Sequence, residues 1–558
     1  MPVTLIKKRR LLKLLGIEAS DKDLLEVLSK TKVEAEFIDP ETLEVEVTPD
    51  RLDLLVSEGL ARELRGLLGL EKGYPKYRVS DTDIELVVYS NVKPVRPFIA
   101  VAVIKGYYVD QDSLDEIIQF QEKLHTTLGR DRRKIAIGFY DLDKLNSRKI
   151  IYRAEKPDKI RYVPLGETRE MSGREIVEKT EKGRKYRHLI DGYGAYPLLH
   201  TVKGQVLSIP TILNSEDTKV DVGTKNLFID VTGTDKYLVN KTLDLIVTTL
   251  SEVASEIGKV LVIDVGETYK TPVLTSTELV VETDYLKSII GLDVGDLEIA
   301  ELLERMRYHV EPVADGKLYV KAPPYRLDIL HKVDVAEDVA IAYGYNELIP
   351  ELPKTFTVGR ELVKTKFLRK IREIMTGLGF QEVLTFTLAS KKLITELVNA
   401  ESSRQVEILN PISPLYNTIR STLIANMVQF LKQNQHSDHP IKVFEVGDTV
   451  EVHNGEAVVK TKLAASILSY KVGFEDIQAT LYALAKTLGL TVFLVEEKTP
   501  PKIFLRGRTA KININGKLRG IIGELDPQYL LEKLEIEYPV ALFEIDISNM
   551  WNEIREKK

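Results

Sequence analysis

The chain has 558 residues, 44 % hydrophobic and 29 % charged, with a formal net charge of −6 and no cysteine. At ~100–200 residues per domain, this predicts about three to five domains of ordinary globular composition. Disulfides, thiolate metal sites and cysteine nucleophiles are excluded, and RNA would have to meet local basic patches rather than the surface as a whole.

The opening MPVTLIKKRRLLKLLGIEAS is basic, but Lys13 interrupts its leucines and no small-residue cleavage site follows. It therefore predicts an amphipathic helix from Thr4, not a secretory signal. In the N-terminal α/β domain, 1–90, a helix starts at Ser20-Asp21, residues 43–47 alternate as a strand, TPDR turns, and 56–68 is helical. Prolines in 92–97 mark the next boundary.

In 91–270, FIAVAVIKGYYV and KIAIGFYDL predict strands flanking a helix at 113–128. VLSIPTILN and NLFIDVTGT predict strands ending in polar residues, followed by a helix at 235–257 and the strand KVLVIDVGETY. The runs 243–250 and 260–265 are too short to span a bilayer, so the expected location is cytoplasmic. A small unit, 271–350, reads strand, two helices, strand and helix; Pro350 and Pro353 lie in a linker. In 355–558 a long helix at 362–378 precedes the strands FQEVLTFTL, KVFEVGDTVEV, TAKININGKLRGIIGELD and VALFEIDI, with a hairpin at Asn515-Gly516. The fold class is α+β and multidomain.

Four features carry possible chemistry. PDRLDLL at 49–55 is echoed by PYRLDIL at 324–330, each with an Arg and an Asp free to pair. After the second copy, Asp328 is followed by Asp334, Glu337 and Asp338, the last three at helical spacing on one face. All-oxygen donors suit Mg²⁺, and a solvated acidic face near a helix N-terminus fits the same spacing. Asn214, Ser215, Asp217, Asp230, Thr232 and Thr234 gather at strand ends, where they would either bind a polar small molecule or cap turns. Asp230 and Thr232 are two apart, so on a strand they share a face. Basic clusters stand at 7–10, 130–134 and 182–187, each able to meet phosphates or simply to be solvated. There is no Walker A loop and no GxGxxG turn, and the His436–His439 pair falls in a loop ending at Pro440.

Taken together, these segments resemble phenylalanyl-tRNA synthetase β subunits of the archaeal or eukaryotic type over nearly the whole chain. VEVTPDRLDLLVSEGLARELRGLLG is similar to the family's N-terminal motif, with Leu52 where a Pro is common. LHTTLGRDRRKIAIGFYDLDKL, IPTILNSEDTKV and LFIDVTGTD resemble its β-rich editing region. PPYRLDILHKVDVAEDVAIAYGYNELIP resembles its magnesium-associated small domain. MTGLGFQEVLTFTL, LNPISPLYNTIRSTLIANM and VFEVGDTV resemble its class II synthetase-like antiparallel module.

The resemblance implies an editing pocket at Ser208, Asn214, Ser215, Asp230 and Thr232. It implies Mg²⁺ at Asp328, Asp334, Glu337 and Asp338. It implies a catalytic α subunit and tRNA-Phe as partners in an α2β2 heterotetramer that makes phenylalanyl-tRNA with ATP. GKLRGIIGELDP has no Arg after its Asp, so the module is expected to be non-catalytic. The resemblance to the archaeal and eukaryotic type implies no bacterial-type C-terminal anticodon domain after VALFEIDI. Two other readings stay open, a stand-alone RNA-binding protein and a free-standing hydrolase of mischarged tRNA.

Overall fold

A computed structural model describes residues 1–352, 357–398 and 404–555. The chain divides into two compact units, Met1–Leu352 and Pro353–Lys558.

The first unit begins with a strand, not a helix. Val3–Lys7 pairs antiparallel with Thr42–Val47, which also pairs with Val33–Asp39. Thr4 and Ile6 are buried on one face, so β-branched alternation outweighs the helical pattern until Lys8. The helix Lys8–Leu15 then ends at Gly16, whose φ of 75° suits a left-handed cap. Ser20 caps the helix Asp21–Leu28 as expected, accepting from Asp23 N–H.

A ten-stranded sheet dominates the unit. Its order runs Leu213–Asn214, Val206–Ile209, Tyr196–Thr201, Lys149–Glu155, Val79–Val88, Glu256–Asp264, Phe98–Lys105, Asn226–Gly233, Ile135–Asp141, and Glu267–Thr271 pairs with Glu256–Asp264 off this path. Val79–Val88, placed in the 1–90 domain by sequence, lies near the middle of this sheet and pairs parallel with both neighbours. The helix expected over 235–257 is Lys236–Leu250, and the chain re-enters the sheet at Glu256. Leu243, Ile246, Val247 and Leu250 bury one face of that helix with Ala100, Ala102, Ile229 and Val231.

A three-stranded sheet, Thr277–Glu282, Lys317–Ala322 and His309–Val313, carries the helices Thr283–Ile290, Asp296–Arg305 and Lys332–Tyr343. The two echoed segments give the same device. Arg51 grips Asp53 in a two-pronged fork (Nε–Oδ1 2.9 Å, Nη2–Oδ2 3.0 Å), and Arg326 grips Asp328 likewise (2.9 and 2.7 Å). The copies are neighbours, since the Arg62 guanidinium, bonded to Asp53, lies 3.4 Å from the centre of the Tyr325 ring.

In the second unit a seven-stranded sheet runs Gln381–Glu382, Ile441–His453, Glu456–Leu468, Val540–Asp546, Lys517–Leu525, Phe504–Ile514, Val492–Glu496. Side chains alternate along Ile441–His453. Phe444 and Val446 meet the helices Val363–Gly377 and Phe474–Leu488 on one face, while Val443 meets Ile424–Asn434 on the other. Asn515 and Gly516 take φ of 52° and 83° in the expected hairpin. FQEVLTFTL is strand only at Gln381–Glu382 and at its last residue, where Leu388–Ala389 begins.

Candidate functional site

Two clusters were expected from sequence, and the structure treats them differently. Asp230 and Thr232 lie on the strand Asn226–Gly233, paired on both sides. Between and beside them, Ile229 and Val231 point into the core. Period two therefore turns Asp230 and Thr232 together into a small cleft.

At the floor of the cleft, Tyr140 Oη lies 2.6 Å from Asp230 Oδ1 and 2.8 Å from Ser208 Oγ. The phenol has one proton, so it donates to the carboxylate and accepts from Ser208. Asp230 sits opposite Gly138 in the sheet, and a Cβ there would fall 2.3 Å from both Asp230 Oδ1 and Tyr140 Oη. Gly138 is what lets the phenol and the carboxylate meet. Arg96 Nε donates to Thr232 Oγ1 at 2.9 Å from behind, which leaves the Thr232 proton and one lone pair for the cleft.

Burial pushes the Asp230 carboxyl up to about 7, against the hydrogen bond from Tyr140 and the charge of Arg96. Burial likewise brings Arg96 down to about 10. Above its ordinary 3.8 the unfolded carboxyl ionises while the folded one stays protonated up to about 7. This contribution is therefore favourable below pH 4 and lost as pH rises to 7. Asp230→Asn should gain on wild type by up to ~1.4 kcal/mol per pH unit across that window. Thermal melts at pH 4 and pH 8 test this, and a variant whose offset from wild type is the same at both would sink it.

The other wall is built by Arg132. Its guanidinium donates to Thr211 O and Ile212 O at 3.1 Å and to Glu122 Oε1 at 2.7 Å, and it stacks 4.5 Å from the Tyr186 ring centre. Burial works against a charged Glu122, but the adjacent His125 ring, 3.8 Å away, and the Arg132 and Lys182 charges hold its carboxyl well below the usual range. His125, brought down to about 4 by burial, is a neutral ring whose Nε2 accepts from Ile137 N–H at 2.8 Å.

Three of the five expected residues, Asn214, Asp230 and Thr232, line the cleft. Ser208 stands one bond behind, through Tyr140. Ser215 does not line it: it is fully buried, and its hydroxyl caps the short helix Glu216–Thr218 by accepting from Asp217 N–H. Sequence reasoning missed Tyr140, Gly138, Arg96 and the inward turn of Arg132. A lone glycine inside a strand was the available signal.

The expected acidic face is dismantled by the fold. Asp338 is fully buried, accepts from Tyr308 Oη at 2.6 Å and pairs with Arg326 at 2.7 Å. Asp328 is held by the same arginine; burial opposes its ionisation, but the Arg326 charge brings it to about 2. Asp334 accepts from the Leu330 and His331 N–H groups at the helix start. Glu337 pairs with Lys32 at 2.7 Å. Although i, i+3 and i+4 are near on a helix, Asp338 turns into the core while Glu337 stays in solvent. Among the described residues, no group of three or more His, Asp or Glu side chains is arranged to hold a metal ion. Asp338 Oδ1 is buried without a partner, but Arg326 already compensates its charge. In this chain the four carboxylates are engaged separately, by Arg326, Lys32 and backbone N–H groups, and are not gathered on one point.

The chain is similar to known proteins over nearly its whole length. Residues 349–547 match the family described as phenylalanyl tRNA synthetase beta chain CLM domain, and 279–345 match the tRNA synthetase B5 domain. The chain is 42 % identical to a phenylalanine–tRNA ligase beta subunit of Aeropyrum pernix, with 98 % of each chain covered. It is 40 % identical to that of Pyrococcus furiosus, covering 99 % of this chain and 100 % of the relative. A crystal structure of an N-terminal fragment of the phenylalanyl-tRNA synthetase beta-subunit from Pyrococcus horikoshii, 40 % identical, superposes with a TM-score of 0.59. It covers 61 % of this chain and 99 % of that fragment.

Proposed function

This chain belongs to the family of phenylalanine–tRNA ligase β subunits, and on that premise we propose that its Asp230 cleft hydrolyses Tyr-tRNA-Phe while its second unit packs against a catalytic α subunit. The ligase joins L-phenylalanine to tRNA-Phe with ATP. An apolar pocket discriminates poorly, by about a hundredfold, against an isostere that only adds a hydroxyl. A second site lined with buried polar groups works the other way, because a substrate lacking the hydroxyl leaves them unpaired.

The observation that carries the reading is the buried Asp230–Tyr140–Ser208 chain at the floor of the cleft. Its protons run from Ser208 to Tyr140 to Asp230, so what it offers the O–H of a bound phenol is an acceptor, the remaining lone pairs of the Asp230 carboxylate. Thr232, with one proton and one lone pair free, orients a water for attack on the ester carbonyl. The water oxygen bonds to the carbonyl carbon, the bond to the ribose oxygen breaks, and the water's proton ends on the ribose oxygen. No protein nucleophile is required, and Ser208 is engaged by Tyr140. An assembled ligase that deacylates Tyr-tRNA-Phe no faster than buffer would end this reading.

The second unit supports the partner. Leu409 and Ile412 are fully exposed, and Leu384, Phe386 and Leu415 are largely so, an apolar surface that water does not favour leaving bare. We assign it to the α subunit, in an assembly of two α and two β chains. Light scattering of the co-expressed pair should give the mass of four chains. Leu409→Asp/Ile412→Asp should release α and cut phenylalanylation more than tenfold while leaving the melting temperature of the β chain unchanged. A variant that still co-purifies with α at four-chain mass removes this surface from the interface.

Among the described residues no helix is long and apolar enough to cross a membrane, and the cytoplasm is the proposed place of work. A divalent-metal requirement is kept for the ligase as a whole, outside the four acids occupied by Arg326, Lys32 and backbone N–H groups. Both rival readings, a lone RNA binder and a free-standing hydrolase, predict a chain that ignores α.

A further inference from the structure

With a net charge of −6, the chain can hold RNA only where cations gather locally. Of the three basic clusters, the first is mostly neutralised: Lys8 pairs with Asp21, Arg9 with Asp112 and Arg10 with Glu58, while Lys7 donates to the Thr42 hydroxyl. The other two differ. Segments 129–134 and 179–187 carry nine cationic side chains against two anionic ones, and among the described residues no carboxylate pairs with Arg130, Arg133 or Lys185.

These two segments are joined at the cleft. Arg132 stacks on Tyr186, and Arg132 and Lys182 share Glu122 Oε1 at 2.7 and 3.1 Å. Lys182, Arg132 and Glu122 all line the cleft. The turn is also strained. Arg130, Asp131 and Arg132 take φ of 46°, 55° and 63° in succession, a left-handed run that L side chains disfavour. It sends Arg132 inward to the wall and leaves Arg130 and Arg133 exposed on either side of it.

We infer that the turn 129–134 and the helix Glu181–Tyr186 form a docking rim for RNA, taking the phosphates of the single-stranded 3′ end whose aminoacyl group enters the cleft. The inference rests on the hydrolysis proposed for that cleft. Arg130, Arg133 and Lys185 meet phosphate and not the reacting ester, so they set affinity rather than rate. Backbone recognition of this kind is independent of sequence and screened by salt.

The test uses the assembled ligase and Tyr-tRNA-Phe. Arg130→Ala/Arg133→Ala/Lys185→Ala should raise KM for hydrolysis about tenfold with kcat within about twofold. The slope of log affinity for a single-stranded RNA oligonucleotide against log salt should fall by about two, at ~0.7 for each phosphate no longer neutralised. Arg130→Lys/Arg133→Lys, which keeps the charge, should stay close to wild type. An unchanged KM and slope overturns the rim, as does a fall in kcat at constant KM. Release of the α subunit from the triple variant also overturns it, since the surface would then bind protein. A wild-type ligase with no hydrolysis overturns both this and the cleft reading, whereas a hydrolysing wild type with an unaltered variant overturns the rim alone.

Discussion

Asp230→Ala in the assembled ligase should lower Tyr-tRNA-Phe hydrolysis at least a hundredfold and leave phenylalanylation as it was. A hundredfold is about 2.7 kcal/mol on the barrier, within the range seen when one preorganised hydrogen-bonding group is removed from a water-poor site. The alanine strands Tyr140, whose hydroxyl is deprived of its acceptor at 2.6 Å, and the floor of the cleft loses the carboxylate that would accept from a bound phenol. Asp230→Asn should cost less, because the amide oxygen still accepts from Tyr140. It should also flatten any inflection near pH 7 in the hydrolysis profile, since that is where burial puts the carboxyl. Equal loss of hydrolysis and charging would point to misfolding. Unchanged hydrolysis would take Asp230 out of the mechanism.

Arg326→Met should be among the most destabilising single changes in the first unit. Arg326 is 2 % exposed and holds Asp328 and the fully buried Asp338 together. Its removal takes from two buried carboxylates the guanidinium they contact, leaving only the more distant Arg51, a loss that costs ~3–5 kcal/mol. Adding Asp338→Leu should recover part of the loss, because an apolar pair can replace a buried ionic one. Denaturant melts of the β chain measure both. If Mg²⁺ rather than Arg326 held these acids, a chelator would lower the melting point and Arg326→Met would change stability by less than ~1 kcal/mol.

Sequence periodicity was enough to find most elements, and it failed where tertiary pairing chose between two periods. Residues 4–7 satisfy a helical stripe, but the strand Thr42–Val47 takes them as a partner. Residues 79–88 look local to the N-terminal domain and are claimed by strands at Lys149–Glu155 and Glu256–Asp264. In the cleft, the alternation of Asp230 and Thr232 was legible because strand geometry alone places them on one face. Tyr140 and Arg96 were not legible, because they reach the site from Ile135–Asp141 and from the turn before Phe98–Lys105. Spacing placed Asp334, Glu337 and Asp338 on a common face, but spacing holds no information about Arg326 or Lys32, and those cations decide where each acid goes.

The parallel pairing of Val79–Val88 sets the order in which the protein is made. Val79 meets Ile257, so this near-central strand waits while roughly 180 further residues leave the ribosome, about 10–35 s at 5–20 residues per second. Until then the nascent chain displays this strand, whose Ile84, Leu86 and Val88 are bound for the core, with one hydrogen-bonding edge open even after Lys149–Glu155 has taken the other, the condition under which chains join edge to edge. A β subunit stalled or cleaved between residues 90 and 255 is thus a hazard to the cell rather than a smaller working enzyme. Expression of the chain depends on how well that interval is shielded.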